Sequence, residues 1–445
     1  MLKTDSKASL FNDLAISPLD LPPSGYNDVE NRERGRDGEN RKSGSLFLVL
    51  PLPIYNVEGR FFIESQACNG LRLWLENFDF VTLCNPMVCV SEAPNNTLPV
   101  KEMLGFENLK LAPLPASWGL AQFVKRLPLA IKQLSSLIAE HQHLCFAIGG
   151  LWGDWAAVAG LLANRKERKA AIWTDRVESQ IKLQEARNSN GLRFLYRHVI
   201  AELLKRLERA VISRSAMGLF HGMDTYQAYS QFSPSPHLVH NVHLGPDSRI
   251  RWETLGRKMR QINKPILKIA YCGRVHQEKG VFEWIETLKI LLSRGIQIDA
   301  NWFGEGPELE VARSIVLAAG LEKKVKFKGH LAGRQILLRQ IQSADIFMFC
   351  HKSAESPRCL IEALLSGTPI VGFGSAYSRD LIKNRGGGLM TPMDPVMLAD
   401  AIEDLYRNQA KLKRMTHMAA LDGYRLIDES VFKHRSDLIK SLQSL

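Results

Sequence analysis

From Ser45 onward, short apolar runs alternate with longer segments in which apolar residues recur every three or four positions. The short runs have the length of buried strands, and the longer segments have the spacing of helices that pack on a sheet. In the segment 279–294, one helix face carries Val281, Trp284, Ile285, Leu288 and Leu292. Strands that alternate with helices in this way predict an α/β fold with parallel sheets.

The pattern divides into two similar series. In the first half we predict strands at 45–51, 79–84, 144–148, 170–174 and 216–221, and helices at 59–77, 153–164 and about 192–214. In the second half we predict strands at 267–272, 297–303, 325–328, 345–350 and 369–373. The helices of that half are predicted at 279–294, 307–319, 333–342, 358–366 and 395–407. Two such halves predict two Rossmann-like, doubly wound domains that face a cleft, with ligands at the carboxyl ends of the strands.

Domain boundaries follow from this alternation. We expect a disordered or loosely packed extension at 1–44 and a Rossmann-like domain at 45–245. A linker at 246–266 leads to a second Rossmann-like domain at 267–420. The segment 421–445 is predicted to hold a helix, at about 429–444, that crosses back to the N-terminal domain.

Composition places the chain among ordinary globular proteins, with 45% hydrophobic and 23% charged residues. Its seven cysteines are scattered, without the spacing of a metal site, which indicates reduced core residues in a cytoplasmic protein. The first 44 residues lack the apolar segment of a secretory signal, and no apolar run is long enough to span a membrane.

The net charge is +12, and part of the excess positive charge is clustered between Arg165 and Arg214, which calls for an interpretation. Three interpretations stay open at this point: solvated helix faces, contact with an anionic membrane surface, and nucleic-acid binding. The third is disfavoured because no recognisable nucleic-acid module accompanies the charge.

Three loops that follow strands of the second half carry the candidate chemistry. In the first, Arg274 and Lys279 flank a turn after Gly273, and a diphosphate fits between two such cations. The second is a glycine turn at 303–308. The third leads into a helix that begins near Pro357, where free backbone amides favour an anion. One turn into that helix, Glu362 is placed to accept hydrogen bonds from sugar hydroxyls.

Together, these segments resemble the C-terminal domain of glycosyltransferase family 4, whose members are retaining enzymes with the GT-B fold. The resemblance runs from about Lys268 to Asn408. It is carried by Gly273-Arg274…Lys279-Gly280, Gly304-Glu305-Gly306-Pro307, Val325-x-Phe327-x-Gly329 and Glu362-Ala363-Leu364…Gly367-Thr368-Pro369.

The resemblance implies a nucleotide-diphosphate sugar as donor. Arg274 and Lys279 match the residues that hold the diphosphate, and Glu362 matches the one that holds the ribose. The loop after strand 325–328 matches the segment beside the base. Further donor-binding positions implied by the resemblance are Gly273, Gly304, Ser356, Pro357, Arg358, Cys359 and Leu360.

One position departs from the family pattern. The family has two glutamates with seven residues between them, whereas Glu355 and Glu362 have six. We expect the loop to absorb the difference, so that Glu355 still reaches the donor sugar, because a loop tolerates a one-residue shift better than a helix does. The other interpretation is that the sugar is held by different groups.

The resemblance also implies transfer of a hexose-type sugar to a hydroxyl of a glycan or lipid-linked acceptor, in polysaccharide or glycolipid biosynthesis. The anomeric configuration is retained, and the departing phosphate takes the acceptor's proton. The sequence has no Asp-x-Asp, GxGxxG after a strand or GxxxxGK[ST]. We therefore expect neither a metal requirement nor a further cofactor.

Acceptor-side candidates lie in loops that follow the strands of the first half. They are Gly59, Asp175, Arg176 and His221. A capping Asp and an Arg paired with a neighbouring Glu are the structural alternatives.

Three alternative functions stay open: a GT-B-fold sugar-nucleotide epimerase, an inactive sugar-nucleotide-binding partner subunit, and, least favoured, a nucleic-acid-binding protein. The main prediction is a cytoplasmic transferase that binds peripherally at the inner face of the cell membrane, with no nucleic-acid partner.

Overall fold

The computed structural model describes residues 44–100, 105–187, 190–262, 265–331, 333–353 and 356–443. Over these ranges, the chain forms two Rossmann-like α/β domains with parallel sheets, which confirms the predicted fold class. Except for Gly44, the predicted N-terminal extension lies outside the described residues.

The N-terminal domain contains a parallel sheet and a smaller mixed sheet. Its strands are β1 (Ser45–Val49), β2 (Ile54–Val57), β3 (Arg60–Glu64), β4 (Phe80–Leu83), β5 (Pro86–Cys89), β6 (Thr97–Pro99), β7 (Leu109–Leu111), β8 (Leu114–Pro115), β9 (His143–Ala147), β10 (Ala171–Thr174), β11 (Met217–His221) and β12 (Pro236–Val239). The parallel sheet has the order β12-β11-β10-β9-β1-β4-β7, and the mixed sheet has the order β6-β3-β2-β5-β8.

Helices cover both faces of the parallel sheet. They are α1 (Ser65–Asn77), α2 (Leu120–Glu140), α3 (Trp155–Arg165), α4 (Glu178–Arg187), α5 (Leu192–Ser213) and α6 (Gly222–Tyr229). Helix α1 packs in the core on one face, while α2, α3 and α5 pack in the core on the other. This double coverage explains why central strands such as β9 read as continuous apolar runs rather than as alternating patterns.

The predicted helix at 59–77 is wrong in its first turn and a half. Residues Glu58 and Gly59 both have positive φ, 49° and 86°, and they form the tight turn of the hairpin β2–β3. Chain reversal there pairs the aromatic and β-branched run of β3 with β2. The helix therefore begins only at Ser65.

The C-terminal domain begins with α7 (Trp252–Gln261) and continues with a second parallel sheet. Its elements are β13 (Leu267–Cys272), α8 (Val281–Ser293), β14 (Ile298–Phe303), α9 (Leu309–Ala318), β15 (Val325–Phe327), α10 (Arg334–Ser343), β16 (Ile346–Phe349), α11 (Arg358–Leu365), β17 (Ile370–Phe373), α12 (Ala376–Ile382), β18 (Gly388–Thr391), α13 (Pro395–Arg407) and α14 (Gln409–Gly423). The strand order is β15-β14-β13-β16-β17-β18. Because the order changes direction at β13, the loops after β13 and β16 diverge and leave a crevice at the carboxyl edge.

A final helix, α15 (Asp428–Ser441), leaves the C-terminal domain and packs on α1. Its residues Phe432 and Ile439 are buried in the same core cluster as Trp74 of α1. The N-terminal domain is thus completed by the last helix of the chain. Within the described ranges, none of the helices combines the length and apolar character needed to cross a membrane.

Candidate active site

The loop after β13 holds the two cations predicted to bind a diphosphate. Lys279 ends a 3-10 helix, Gln277–Lys279, and Arg274 is exposed beside the turn. The backbone N–H of Lys352 donates to the carbonyl of Glu278 over 2.9 Å. This bond fixes the loop against the chain that follows β16, so the cations lie at the carboxyl edge of the sheet.

The glycine turn after β14 packs directly against this first loop. Gly304 has a φ of +140°, and a Cβ at this position would lie 2.1 Å from the carbonyl oxygen of Gly273. Its N–H donates to the carbonyl of Gly329 over 2.8 Å, which joins the loop after β15 to the same edge. Only glycine permits this approach, so the motif forms the floor of the site rather than a separate turn.

Helix α11 places its first turn at the crevice. Pro357 precedes the helix, and Arg358, Cys359 and Leu360 form its first residues; the backbone N–H of Leu360 donates to the carbonyl of Pro357 over 3.2 Å. Ser356, just before the helix, donates a hydrogen bond from Oγ to the carbonyl of His221 over 3.2 Å. The loop that leads into α11 therefore contacts the N-terminal domain.

Glu362 is buried, with 4% of its surface exposed. One carboxylate oxygen, Oε1, accepts a hydrogen bond from Nη2 of Arg334 over 2.5 Å, and the thiol of Cys272 lies 3.7 Å from Oε2. Burial raises the pKa of Glu362, and the positive charge of Arg334 opposes that rise. The sequence analysis missed Arg334, although its place at the start of the helix that follows a predicted strand was a usable signal.

Residues Ala354 and Glu355 lie outside the described residues. The role of Glu355 at the donor sugar stays a prediction.

Three of the four acceptor-side candidates have clear structural settings. Gly59 is the exposed tip of the hairpin β2–β3, and a Cβ there would have no described atom within 4 Å. Arg176 forms an ion pair with Glu178 two residues along and is 61% exposed. His221 is buried at the end of β11, and burial, with His240 and Arg435 nearby, holds its pKa well below the usual range.

Asp175, the fourth candidate, follows β10 and is open to solvent. The side-chain amide of Asn241 lies 3.5 Å and 3.4 Å from its two carboxylate oxygens. The surrounding protein raises the pKa of Asp175, while the charges of Arg435 and of Arg358 lower it. Because Arg358 starts α11, the C-terminal domain contributes to the electrostatic environment of Asp175.

The two domains touch where β11 ends. Gly222 has a φ of +77°, and a Cβ there would lie 2.2 Å from Oγ of Ser356 and 2.7 Å from Cδ2 of Tyr377. Burial raises the pKa of Asp224, and the backbone amides of Tyr377 and Ala376, at the start of α12, oppose that rise. The carboxyl edges of the two sheets therefore face each other, with Asp175 and His221 on one wall and α11 on the other.

Comparison with known proteins agrees with this arrangement. The family model for glycosyl transferases group 1 matches residues 256–421. This segment is similar to the group 1 glycosyl transferases.

Curated relatives of the domain include two sugar transferases of Streptomyces kanamyceticus. The chain is 26% identical to alpha-D-kanosaminyltransferase over 39% of its own length and 45% of the relative's. It is 26% identical to 2-deoxystreptamine glucosyltransferase over 24% of its length and 27% of the relative's. The chain thus matches less than half the length of these relatives.

Solved structures match nearly the whole chain at low sequence identity. HepE from Anabaena, in complex with UDP, is 14% identical, with a TM-score of 0.61, and the match covers 91% of this chain and 100% of that one. Sucrose-phosphate synthase from Thermosynechococcus elongatus is 15% identical, with a TM-score of 0.61 and the same coverage. WaaG, a glycosyltransferase involved in lipopolysaccharide biosynthesis, is 12% identical, with a TM-score of 0.55, over 88% of this chain and 99% of that one. At these identities the likeness establishes the GT-B fold.

Proposed function

We propose that the protein is a retaining glycosyltransferase of family 4 that moves a hexose-type sugar from a nucleotide-diphosphate donor to a hydroxyl of a glycan or lipid-linked acceptor. The observation that carries this proposal is the convergence of three loops at one sheet edge. They bring Arg274, Lys279, the start of α11 and Glu362 to the crevice beside β13. The match of this domain to the group 1 glycosyl transferases supports the same assignment.

The donor diphosphate fits between the loop after β13 and the start of α11. Arg274 and Lys279 provide charge from one side, and the N-terminus of α11, the positive end of the helix dipole, faces the diphosphate from the other. Glu362, one turn deeper, offers a carboxylate to the ribose hydroxyls. We infer that Arg334 keeps this carboxylate ionised and in place.

In the proposed reaction, the bond between the anomeric carbon and the diphosphate oxygen breaks, and the acceptor oxygen forms its bond on the same face. Negative charge develops on the β-phosphate, where preorganised cations and amides are most effective. The acceptor's proton passes to the departing phosphate, so the step needs neither a metal nor a separate cofactor. Asp175 and His221 lie on the opposite wall, where the acceptor would bind.

An anionic membrane surface is the proposed setting for a lipid-linked acceptor. Helix α5 exposes an apolar stripe at helical spacing: Leu192 (86% exposed), Leu195 (59%), Tyr196 (67%), Val199 (48%) and Leu203 (40%). The basic side chains of Arg193 and Arg197 flank this stripe, and Arg206, Arg209 and Arg214 are exposed further along. Apolar groups beside cations are the combination that binds at a lipid interface. We propose peripheral contact with the inner face of the cell membrane through α5.

A transfer assay separates this proposal from its alternatives. The full chain is incubated with labelled UDP-glucose, the sugar nucleotide found with HepE, and then with the GDP and ADP analogues. Each reaction is run with and without short-chain polyprenyl-phosphate-linked sugars as acceptors. A labelled glycolipid that forms only with acceptor supports transfer. An altered nucleotide sugar or free sugar formed without acceptor indicates the epimerase, and binding without any turnover indicates the inactive partner.

A further inference from the structure

Arg435 on α15 is a buried cation whose hydrogen-bond donors are unused. Its residue is 0% exposed, and Nε, Nη1 and Nη2 have no hydrogen-bond partner among the residues that the structure describes. Burial lowers the pKa of Arg435 to about 10, so the side chain remains positively charged at neutral pH. Because a buried charge is costly without a compensating interaction, this arginine calls for an explanation.

Aromatic rings hold the guanidinium in place. Its Cζ atom lies 4.1 Å from the ring centroid of Phe432, 4.5 Å from that of Trp173 and 5.3 Å from that of Trp74. The faces of these rings attract a cation, and more strongly away from water. They fix its position but leave its donors unused.

Asp175 is the carboxylate that interacts with this cation. The charge of Arg435 lowers the pKa of Asp175, and Asp175 in turn raises that of Arg435. The interaction acts through space, since the guanidinium nitrogens have no direct hydrogen-bond partner in the described part of the chain. Trp173, whose ring contacts the guanidinium, is two residues before Asp175, so Arg435 packs beside the strand that leads to this carboxylate.

The other titratable groups that the structure describes around Arg435 and Asp175 carry no negative charge that would pair with Arg435. The thiol of Cys145 is buried, and burial holds its pKa at about 12. Burial also lowers the pKa values of His221, His240 and His243, and Arg435 lowers each of them further. These side chains are thus neutral, and Asp175 is the carboxylate on which the charges of both Arg435 and Arg358 act.

We propose that Arg435 is a positioning residue that holds Asp175 ionised at the acceptor wall, where its carboxylate accepts a hydrogen bond from the acceptor hydroxyl. The inference rests on the proposed glycosyl transfer, since it assigns Asp175 to the acceptor. It also gives α15 a part in the site, because a helix that follows the C-terminal domain supplies a charge to the N-terminal wall.

The pH profile of UDP release from UDP-glucose, with water as acceptor, tests this role in the full chain. We expect kcat to fall on the acid side as Asp175 is protonated. Arg435→Gln should move that fall to higher pH by about one unit, the usual effect of removing an opposite charge. Arg435→Lys, which retains the charge, should leave the fall in place and lower kcat. In an Asp175→Asn background, Arg435→Gln should no longer change the profile.

If Arg435 had only a structural role, Arg435→Gln would lower the stability of the protein, and kcat would still fall at the same acid pH as in wild type. The proposal is overturned if kcat of Arg435→Gln falls at the same pH as that of wild type. It is also overturned if Arg435→Gln shifts the fall by an equal amount in the Asp175→Asn background. If Arg435→Gln does not fold, Arg435→Lys carries the test: a fall of kcat that stays at the same pH supports the proposal, and a shifted fall in this variant, which retains the charge, overturns it.

Thermal unfolding provides a readout that does not need turnover. Arg435→Gln, Asp175→Asn and the double variant form a cycle in which interacting residues give non-additive changes. Additive changes in Tm overturn the pairing. If wild type releases no UDP from any sugar nucleotide while the cycle shows coupling, the transferase proposal fails and the Arg435–Asp175 interaction remains.

Discussion

Nη2 of Arg334 lies 2.5 Å from Oε1 of Glu362 and donates a hydrogen bond to it. The carboxylate assigned to the ribose is therefore already neutralised on one side by a cation at the start of α10. Glu362 is almost fully buried, and its ionised form would be disfavoured without such a partner. Nucleotide binding should then depend on both residues.

We expect Glu362→Ala to weaken binding of the nucleoside diphosphate roughly tenfold to a hundredfold, because the ribose hydroxyls lose a charged acceptor worth about 1.5–3 kcal/mol. Isothermal titration measures the dissociation constant. Glu310→Ala is the matched control, since Glu310 is 81% exposed on α9. An unchanged dissociation constant in the Glu362 variant would remove the ribose assignment.

The pH dependence of binding tests the role of Arg334. Burial raises the pKa of Glu362 and Arg334 lowers it, so affinity should fall as the pH drops to that pKa and the carboxylate gains a proton. In Arg334→Met the opposing charge is gone, and the fall should begin at higher pH. Titrations at a series of pH values show this, with Arg313→Met as control. The same onset in Arg334→Met and wild type would mean that Arg334 does not support the carboxylate.

Arg274→Ala and Lys279→Ala should each lower turnover by about 10²-fold while the fold stays intact, the scale typical of losing one stabiliser of transition-state charge. The measurement is kcat for sugar transfer, with circular dichroism to check folding. Lys289→Ala, in an exposed pair with Glu286, is the control. Near-normal turnover in a folded Arg274→Ala/Lys279→Ala double variant would contradict the diphosphate assignment.

Gly222→Ala should force the domains apart at their contact. The new Cβ would have to displace Ser356 and Tyr377, in addition to taking a positive φ. Gly295→Ala is a matched control, because Gly295 has a φ of +80° and its Cβ position is open. Both should lose about 1 kcal/mol to backbone strain, but Gly222→Ala should also weaken sugar transfer. If Gly222→Ala and Gly295→Ala changed Tm and turnover by equal amounts, the contact of Gly222 with Ser356 and Tyr377 would not contribute to sugar transfer.

Membrane binding through α5 predicts salt-sensitive co-sedimentation with anionic vesicles and little with neutral ones, since each basic residue near anionic lipid contributes about 1 kcal/mol. Neutralising Arg206, Arg209 and Arg214 together should weaken binding to anionic vesicles. Leu195→Ser/Tyr196→Ser should also weaken it, whereas Leu317→Ser, at a 67% exposed position on α9, should not. Equal recovery with neutral and anionic lipid would leave the charge as an ordinary solvated surface.

The C-terminal half could be predicted closely because its strands are short apolar runs and its chemistry follows them in sequence. The predicted strand 267–272 has the bounds of β13, and the predicted strand 297–303 begins one residue before β14. The hairpin β2–β3 was missed because the predicted helix at 59–77 included the turn residue Gly59 and all of β3. A hairpin turn flanked by β-type runs was the signal that would have found it.

The residues missed at the site depend on tertiary contacts rather than on local pattern. Arg435 lies on a helix whose sequence shows only amphipathic spacing, and its setting depends on Trp173 from a distant strand. Tyr377 contacts His221 only because the domains meet there, with ring centroids 6.1 Å apart. No local motif marks such a pair.

Isothermal titration with UDP, GDP and ADP tests the central claim most directly, since donor binding by the C-terminal domain precedes every other step. We predict that one of the three binds the wild-type chain and raises its stability, by about 2.7 kcal/mol at a hundred times the dissociation constant. The Arg274→Ala/Lys279→Ala variant should bind it far more weakly. Absence of binding for all three, or equal affinity in the double variant, would contradict the account.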